Sequence, residues 1–424
     1  MKKQEVLHRE ELELFNKSEL IEKIIRLEEK NKELKAIANR GKLESRNNVH
    51  RSQKPFDFSR CNKRHILLKF YYLGWTYNGF VVQESIDETV EQHLFAALIK
   101  SCCIESRESS NYHRCGRTDK GVSSFSQVIS LDVRSKLDRQ DQHKVEDELP
   151  YCKMLNRLLP PGIKCIAWCP VPDDFSSRFN CKSRTYKYFF PRGNLNIDAM
   201  DKAVRYTIGE HDFRNVCKMD VANGVVSYTR KIIDAKVCIY RQHFRNVPGY
   251  DICQMIVTGQ AFLWHQIRCL MGVLFLVGEE KEKPEVMLEL LDIEKCPRKP
   301  QYNLAHEVPL NLWCCEYEAN EWYIDKTELR NTIKLLQKDW TLYTIKSVMI
   351  ENMLSDLEDL VDLKDTSSQP DCLLLGVQPK VYQHLMERPT CESLESKIKH
   401  YENKKKRKEQ SLGGNAEKLL KLQD

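Results

Sequence analysis

The chain has 424 residues, 41% hydrophobic and 30% charged, with a formal charge of +6 at pH 7. At about 100–200 residues per domain this allows two or three domains and a sizeable core, and the composition excludes a wholly disordered chain. The most apolar stretch, Cys269 to Gly278, is about half the roughly 20 residues a membrane span needs, so no membrane protein is expected. The charged start, Met1-Lys-Lys-Gln, lacks a secretory pattern. The 17 cysteines are therefore expected to be reduced thiols. There is no C-x-x-C, and neither Cys165 with Cys169 nor the adjacent pairs at 102–103 and 314–315 has a histidine at finger-like spacing, so no metal or cofactor is expected.

Residues 1–50 are highly charged. Leu20, Ile24, Leu27, Asn31, Leu34 and Ala38 step by fours and threes, which predicts a helix with a coiled-coil-like seam whose Asn31 could fix register; a single solvated helix fits equally. Gly41 to Lys54 reads as a polar linker. Strands are predicted at His65 to Leu73, Ser126 to Arg134, Lys164 to Cys169, Arg184 to Phe190, Ile232 to Tyr240 and Ile252 to Thr258. Helices are predicted over Thr89 to Lys100, with Val90, Leu94, Ala97 and Leu98 on one face, and over Phe262 to Gly278; Met154 to Leu159 reads as a helix end stopped by Pro160-Pro161-Gly162. Strands and helices mix without regular alternation, so the fold class is α+β with a largely antiparallel sheet. After about Tyr323 the pattern thins, and Lys404-Lys-Lys-Arg-Lys408 is either a solvated tail, an import signal or a phosphate-binding arm.

Three segments carry chemistry. In Asn111 to Ser124, Gly116 and Gly121 bracket Arg117-Thr118-Asp119-Lys120. Such a loop suits the presentation of one carboxylate among cations (His113, Arg114, Arg117, Lys120) that would keep Asp119 ionised as a nucleophile or base. A turn in which Asp119 caps the backbone is the alternative. In the strand at 184–190, Arg184, Tyr186 and Tyr188 share one face, an arrangement that suits a stacked, flipped base or an ordinary sheet face with buried tyrosines. Arg268 lies within an apolar run beside Trp264 and His265. Buried, it needs an anionic partner, for which Asp119 is the candidate; exposed, it needs none.

Gly116-Arg-Thr-Asp-Lys-Gly-Val122 resembles the catalytic signature of the TruA-type tRNA pseudouridine synthases. Other blocks follow in that family's order: Tyr72 to Phe80, Thr89-Val-Glu91, Leu155-Asn156, Phe175 to Arg178, Arg184 to Tyr188, Gly209 to Phe213 and Phe262 to Arg268. Asn111 to Ser123, His211 to Asn215, Cys217 to Val225 and Met386-Glu-Arg-Pro389 are similar to the eukaryotic branch that modifies positions 38 and 39 of the tRNA anticodon stem-loop. Lys120 and Ser123-Ser124 depart from the bacterial pattern and leave Asp119 in place.

The resemblance implies the pseudouridine synthase fold: two similar α/β halves, at 60–180 and 181–325, sharing a central antiparallel sheet with a basic cleft. A charged helical extension and linker at 1–50 and an extension with a basic tail at 326–424 would flank them. It implies a cofactor-free isomerisation of uridine in tRNA by a homodimer. Asp119 would be the nucleophile, Arg117 would displace and hold the flipped nucleotide, Tyr186 would stack on the base and take the C5 proton, and Arg268 would pair with Asp119. Arg178, Arg184 and Lys120 would join Arg117 and Tyr186 in binding RNA. The nucleus is the expected location, with the cytoplasm as an alternative. A tRNA-binding or chaperone protein with a degenerate site is the competing reading; binding without isomerisation would distinguish it. A coiled-coil scaffold resting on residues 20–38 is a third, distinguished by deleting residues 1–50.

Overall fold

The computed structural model describes residues 56–404 apart from 84–85, 222–223, 226, 244–246, 319–320, 362–364, 367 and 378–380. The helix expected at 20–38, the linker, and all of the basic run after Lys404 lie outside the described residues.

The strands, in chain order, are β1 (Asn62–Tyr72), β2 (His113–Arg114), β3 (Ser123–Ser135), β4 (Ile163–Pro170), β5 (Ser183–Pro191), β6 (Gly209–Asp212), β7 (Thr229–Arg241), β8 (Ile252–Gly259) and β9 (Leu310–Glu316). They form one sheet in the order β4-β1-β3-β9-β5-β8-β7-β6, with β2 added beside β3. All pairings are antiparallel except β3 with β9, which is parallel and covers two residues, Ser123 opposite Asn311 and Ser124 opposite Leu312. The sheet is therefore mixed, which corrects the antiparallel expectation. Antiparallel neighbours can be joined by short turns, whereas β9 returns to β3 only after a long excursion that sets no such constraint.

The core divides along this junction. On one side, Ile66, Leu68, Phe70 and Tyr72 of β1 and Ile129, Leu131 and Val133 of β3 pack under α1 (Val90–Lys100) and α2 (Tyr151–Asn156). On the other, β5, β7 and β8 pack under α3 (Ile197–Arg205), α4 (Gln266–Gly278) and α5 (Val286–Leu291). Helix α1 starts where expected: the Thr89 side chain accepts a hydrogen bond from the Gln92 N–H, and Val90, Leu94, Ala97 and Leu98 are buried. One row of opposed residues crosses the junction, running Tyr72, Ser124, Leu312, Tyr186, Val257. Opposed residues share a face of the sheet, so Tyr72 and Tyr186 stand at the same level on the helix-covered side.

The short elements β2, β6, β9, α3 and α5 escaped the sequence pattern, as did α6 (Lys326–Val361), a 36-residue helix in the region where the pattern thinned. Its start is capped by Asp325, which accepts from the N–H groups of Thr327 (2.8 Å) and Glu328 (3.1 Å). Only Thr332 of α6 is buried. Among the described residues, no helix is long and apolar enough to cross a membrane.

Glu91 locks α1 to the segment leading into β2. Its fully buried carboxylate accepts from Arg114 (2.9 Å), Arg107 (3.1 Å), the Tyr112 hydroxyl (2.7 Å) and the Val82 N–H (3.0 Å). Removing one side of a buried ionic network strands the other. Glu91→Ala should cost about 3–5 kcal/mol, nearer the lower figure because both arginines keep some contact with water. Urea-induced unfolding of the variant against the parent measures this.

Candidate active site

The loop that carries Asp119 is held at every turn. The Cys115 N–H donates to the Val128 carbonyl (2.9 Å) where the chain leaves the sheet, and the Gln127 side-chain amide donates to the Gly116 carbonyl (3.1 Å). The Thr118 carbonyl accepts from the Phe80 N–H (3.1 Å), while the Thr118 and Tyr72 hydroxyls bond at 2.7 Å. The Gly121 N–H donates to the Tyr77 carbonyl (3.2 Å) and the Val122 N–H to the Asp119 carbonyl (3.2 Å). Gly121 has φ +79°, and a Cβ there would meet Cγ of Glu307 at 2.6 Å, so glycine is required on both counts. Gly116 faces open space without a positive φ, so its conformation does not require glycine.

The opposite wall comes from the chain before α4. Residues 262–265 are not helical as expected, because His265 takes a left-handed conformation (φ 58°) that ends the extended segment and starts the helix. Phe262 and Trp264 thus line an open pocket together with Arg117, Thr118, Asp119, Tyr186 and Arg268. The Tyr186 ring stands edge-on to Phe262, centroids 5.1 Å apart. The indole N–H of Trp264 donates to Oδ1 of Asp119 (3.1 Å), and the ammonium of Lys218 lies over the indole ring at 4.1 Å. Nε2 of His265 is 3.5 Å from Oδ2 of Asp119.

Arg268 is buried and faces two carboxylates. Its Nη2 donates to Glu307 at 2.7 Å, its Nε to the Ala305 carbonyl at 2.8 Å, and its Nη1 lies 4.0 Å from Oδ2 of Asp119. The expected Asp119 pairing is present at the outer limit of an ion pair, and the tight partner is Glu307. Lys218 lies in the block Cys217 to Val225 but was given no role, and Glu307 carries no motif of its own; the only hint of an additional acid was the isolated Arg268 in its apolar run.

The pKa of Asp119 moves in the direction opposite to expectation. Burial raises its pKa above the ordinary value of 3.8; Arg268 and the Trp264 hydrogen bond pull it down, Glu307 pushes it up and Lys218 pulls it down, with a net rise. The cations expected to lower it are engaged elsewhere: Arg114 with Glu91, and Arg268 chiefly with Glu307. His265 is pushed down to about 4 by burial, then by Arg268 and Lys218, so its ring is neutral near pH 7. Burial also raises the Tyr186 phenol, which stays protonated.

The remaining expected residues divide. Arg117 is exposed at the pocket rim, and burial together with nearby Arg114 and Arg178 lowers its pKa, the mark of gathered positive charge. Arg178 is exposed, its guanidinium 5.2 Å from the ring centre of the exposed Phe179, and Lys120 is also exposed. Arg184 does not line the pocket. It is buried and donates to the carbonyls of Gln260 (2.5 Å), Arg178 (2.9 Å) and Cys115 (3.0 Å).

Compared with known proteins, the chain is 44% identical over 385 residues to a human tRNA pseudouridine(38/39) synthase, covering 83% of this chain and 79% of that protein. The chain belongs to the tRNA pseudouridine synthase family. A Saccharomyces cerevisiae tRNA pseudouridine(38/39) synthase is 41% identical over 73% of this chain and 72% of its own. A Methanosarcina mazei tRNA pseudouridine synthase A is 31% identical over 68% and 98% respectively. The family's sequence profile, described as tRNA pseudouridine synthase, matches residues 203–318, which include β6, β7, β8 and β9 together with Trp264, Arg268 and Glu307.

The two acids on Arg268 make opposite demands on a pH profile. Glu307→Gln removes a negative neighbour of Asp119 and releases Arg268 towards it, so the acidic limb of kcat/KM should move to lower pH. Arg268→Gln should move that limb to higher pH and slow the reaction on the order of 100-fold or more, as loss of one buried electrostatic donor does. Single-turnover rates across pH on unmodified tRNA measure both.

Proposed function

We propose that this synthase isomerises uridine to pseudouridine at positions 38 and 39 of the tRNA anticodon stem-loop. The observation that carries the reading is the Asp119 carboxylate, about a quarter open to solvent (27%) and placed in one pocket with Arg117, Tyr186 and Arg268. A uridine within a stem must first leave its stack, at a cost of a few kcal/mol. Arg117, Arg178 and Lys120 offset that cost by taking phosphates, whose negative charge also relieves the repulsion among the gathered arginines. Arg117 then holds the displaced nucleotide and the Tyr186 ring stacks on its base. The rim cations and the groove between the halves at 60–180 and 181–325 form the basic cleft of this reading.

The ionised Asp119 starts the reaction at the ribose, by attack on C1′ or by initiating a glycal route. In the first route an Asp119–C1′ ester forms as the N1–C1′ bond breaks, and is itself broken when C5 of the turned uracil bonds to C1′; in the second Asp119 takes the C2′ proton as N1–C1′ breaks and returns it as C5 bonds to C1′. Loss of the C5 proton then restores the ring, and N1, no longer bonded to the sugar, takes up a proton in exchange. Tyr186 is held as a neutral phenol, so it can receive the C5 proton only while passing its own onward. Arg268 keeps Asp119 charged between turnovers, at a strength set by its division with Glu307.

Asp119→Asn should abolish pseudouridine formation, with tRNA affinity within about threefold of the parent. Since burial disfavours the Asp119 charge, the variant should lose no thermal stability at pH 8, where that charge is present. Site-resolved pseudouridine mapping, a filter-binding titration and a melting curve provide the three readings. Product formation by Asp119→Asn at the parent rate would overturn the assignment, and parent protein that binds without isomerising would favour an RNA-binding role.

We further propose that the synthase works as a homodimer through α6. Along this helix Leu342, Ile345, Met349, Met353, Leu357 and Leu360 recur at spacings of three and four and are all more than half exposed. Elsewhere on α6, Glu351 pairs with His243 (2.5 Å) and Glu358 accepts from the Tyr250 hydroxyl, contacts that hold the helix against the β7–β8 connection. A second copy of the apolar stripe is the occupant that suits it. Light scattering should give a dimer for the parent and a monomer for Met353→Glu with Leu357→Glu; a monomeric parent would exclude this arrangement.

A further inference from the structure

Three thiols unused by the reaction meet behind the site. Cys115 is the residue before the catalytic loop, Cys181 lies just ahead of β5, and Cys315 is in β9. All three are buried, and their Sγ atoms lie within 4.8 Å of one another. Linear spacing hides this group, because each member comes from a different segment and none has a neighbouring ligand in the chain.

A second observation concerns charge. Arg184 stands opposite Cys315 in the β5–β9 register, and its buried guanidinium donates only to the three carbonyls named above. Among the described residues, no carboxylate pairs with it. The acidic groups around it are the three thiols, followed by Tyr186. A buried cation without an anion is costly, and a thiolate is the available remedy.

We propose that Cys115, Cys181 and Cys315 bind a zinc ion that clamps the stem of the catalytic loop to β5 and β9. Zinc–sulfur bonds of about 2.3 Å at a tetrahedral centre set the sulfurs about 3.8 Å apart, and the present group lies within 4.8 Å. The three thiolates fill three positions and water takes the fourth. The charges close: a divalent ion with three thiolates carries one negative charge, which Arg184 balances. Copper(I), which also favours thiolates, would leave one negative charge uncompensated in the interior. Zinc binding to three thiols forms three Zn–S bonds, breaks three S–H bonds and releases three protons to solvent. The hydrogen bond that Cys181 now donates to the Ser183 carbonyl (3.3 Å) is given up.

The test is elemental analysis of the full chain, purified without tag or chelator, followed by exchange of cobalt(II) into it. One zinc per chain and a sulfur-to-cobalt charge-transfer band are expected. Cys181→Ser and Cys315→Ser should each reduce the bound zinc at least tenfold, while Cys314→Ser, at the exposed neighbour, should leave it unchanged. A parent protein that holds no zinc and gives no such band, one that holds copper in its place, or one with two of the three thiols joined as a disulfide would overturn the proposal. Should the serine variants fail to fold, the parent's metal content and cobalt spectrum decide alone. None of these readings depends on isomerase activity, so they stand apart from the functional assignment.

Discussion

The whole site rests on two residue pairs between β3 and β9. Strand β3 follows the loop that presents Asp119, and β9 is bonded to β5, which carries Tyr186. Without that seam the carboxylate would belong to one half of the sheet and the tyrosine to the other. The row Tyr72, Ser124, Leu312, Tyr186 shows how register turns a pairing into chemistry: Tyr72 fixes Thr118 from below while Tyr186 walls the pocket at the same height. A slip of one residue would send one of these rings to the opposite face.

Electrostatics in the pocket follow from the sharing of a single guanidinium. Arg268 sits within salt-bridge range of two acids, close to Glu307 and at arm's length from Asp119. A tighter pair with Asp119 would have stabilised its charge. At 4.0 Å, and with burial opposing it, the carboxylate remains a group whose ionisation is costly. The indole of Trp264 orients Oδ1, and the neutral ring of His265 adds no second positive charge beside Oδ2.

Much of the sheet was legible because alternation survives wherever one face is buried: β1, β3, β5, β7 and β8 all fall on predicted segments. The catalytic loop was legible too, through its unusual density of glycine and charge. The entry to α4 was not. An apolar run beginning at Phe262 has the composition of a helix, and only the backbone at His265 marks where the helix begins. Nor could composition separate Arg184 from Arg117. Both are arginines in basic segments, yet one spends its donors on carbonyls in the interior and the other meets solvent. Glu307 and the thiol group depend on contacts between distant segments, which no local pattern encodes. Helix α6 was obscured because its apolar residues face outward, where core-based patterning gives no guide.

The order in which the seam's strands are made has a consequence for biosynthesis. The loop of Asp119 leaves the ribosome almost two hundred residues before β9 does, and the strand that completes the pocket is the last of the sheet to be translated. A nascent chain ending before residue 310 can build the layers beneath α1 and α2 yet cannot close the pocket floor. Contacts this remote in sequence form late, because a long loop must close before they are rewarded. A chain that stops short of β9 therefore carries the loop of Asp119 without the strand that joins it to Tyr186.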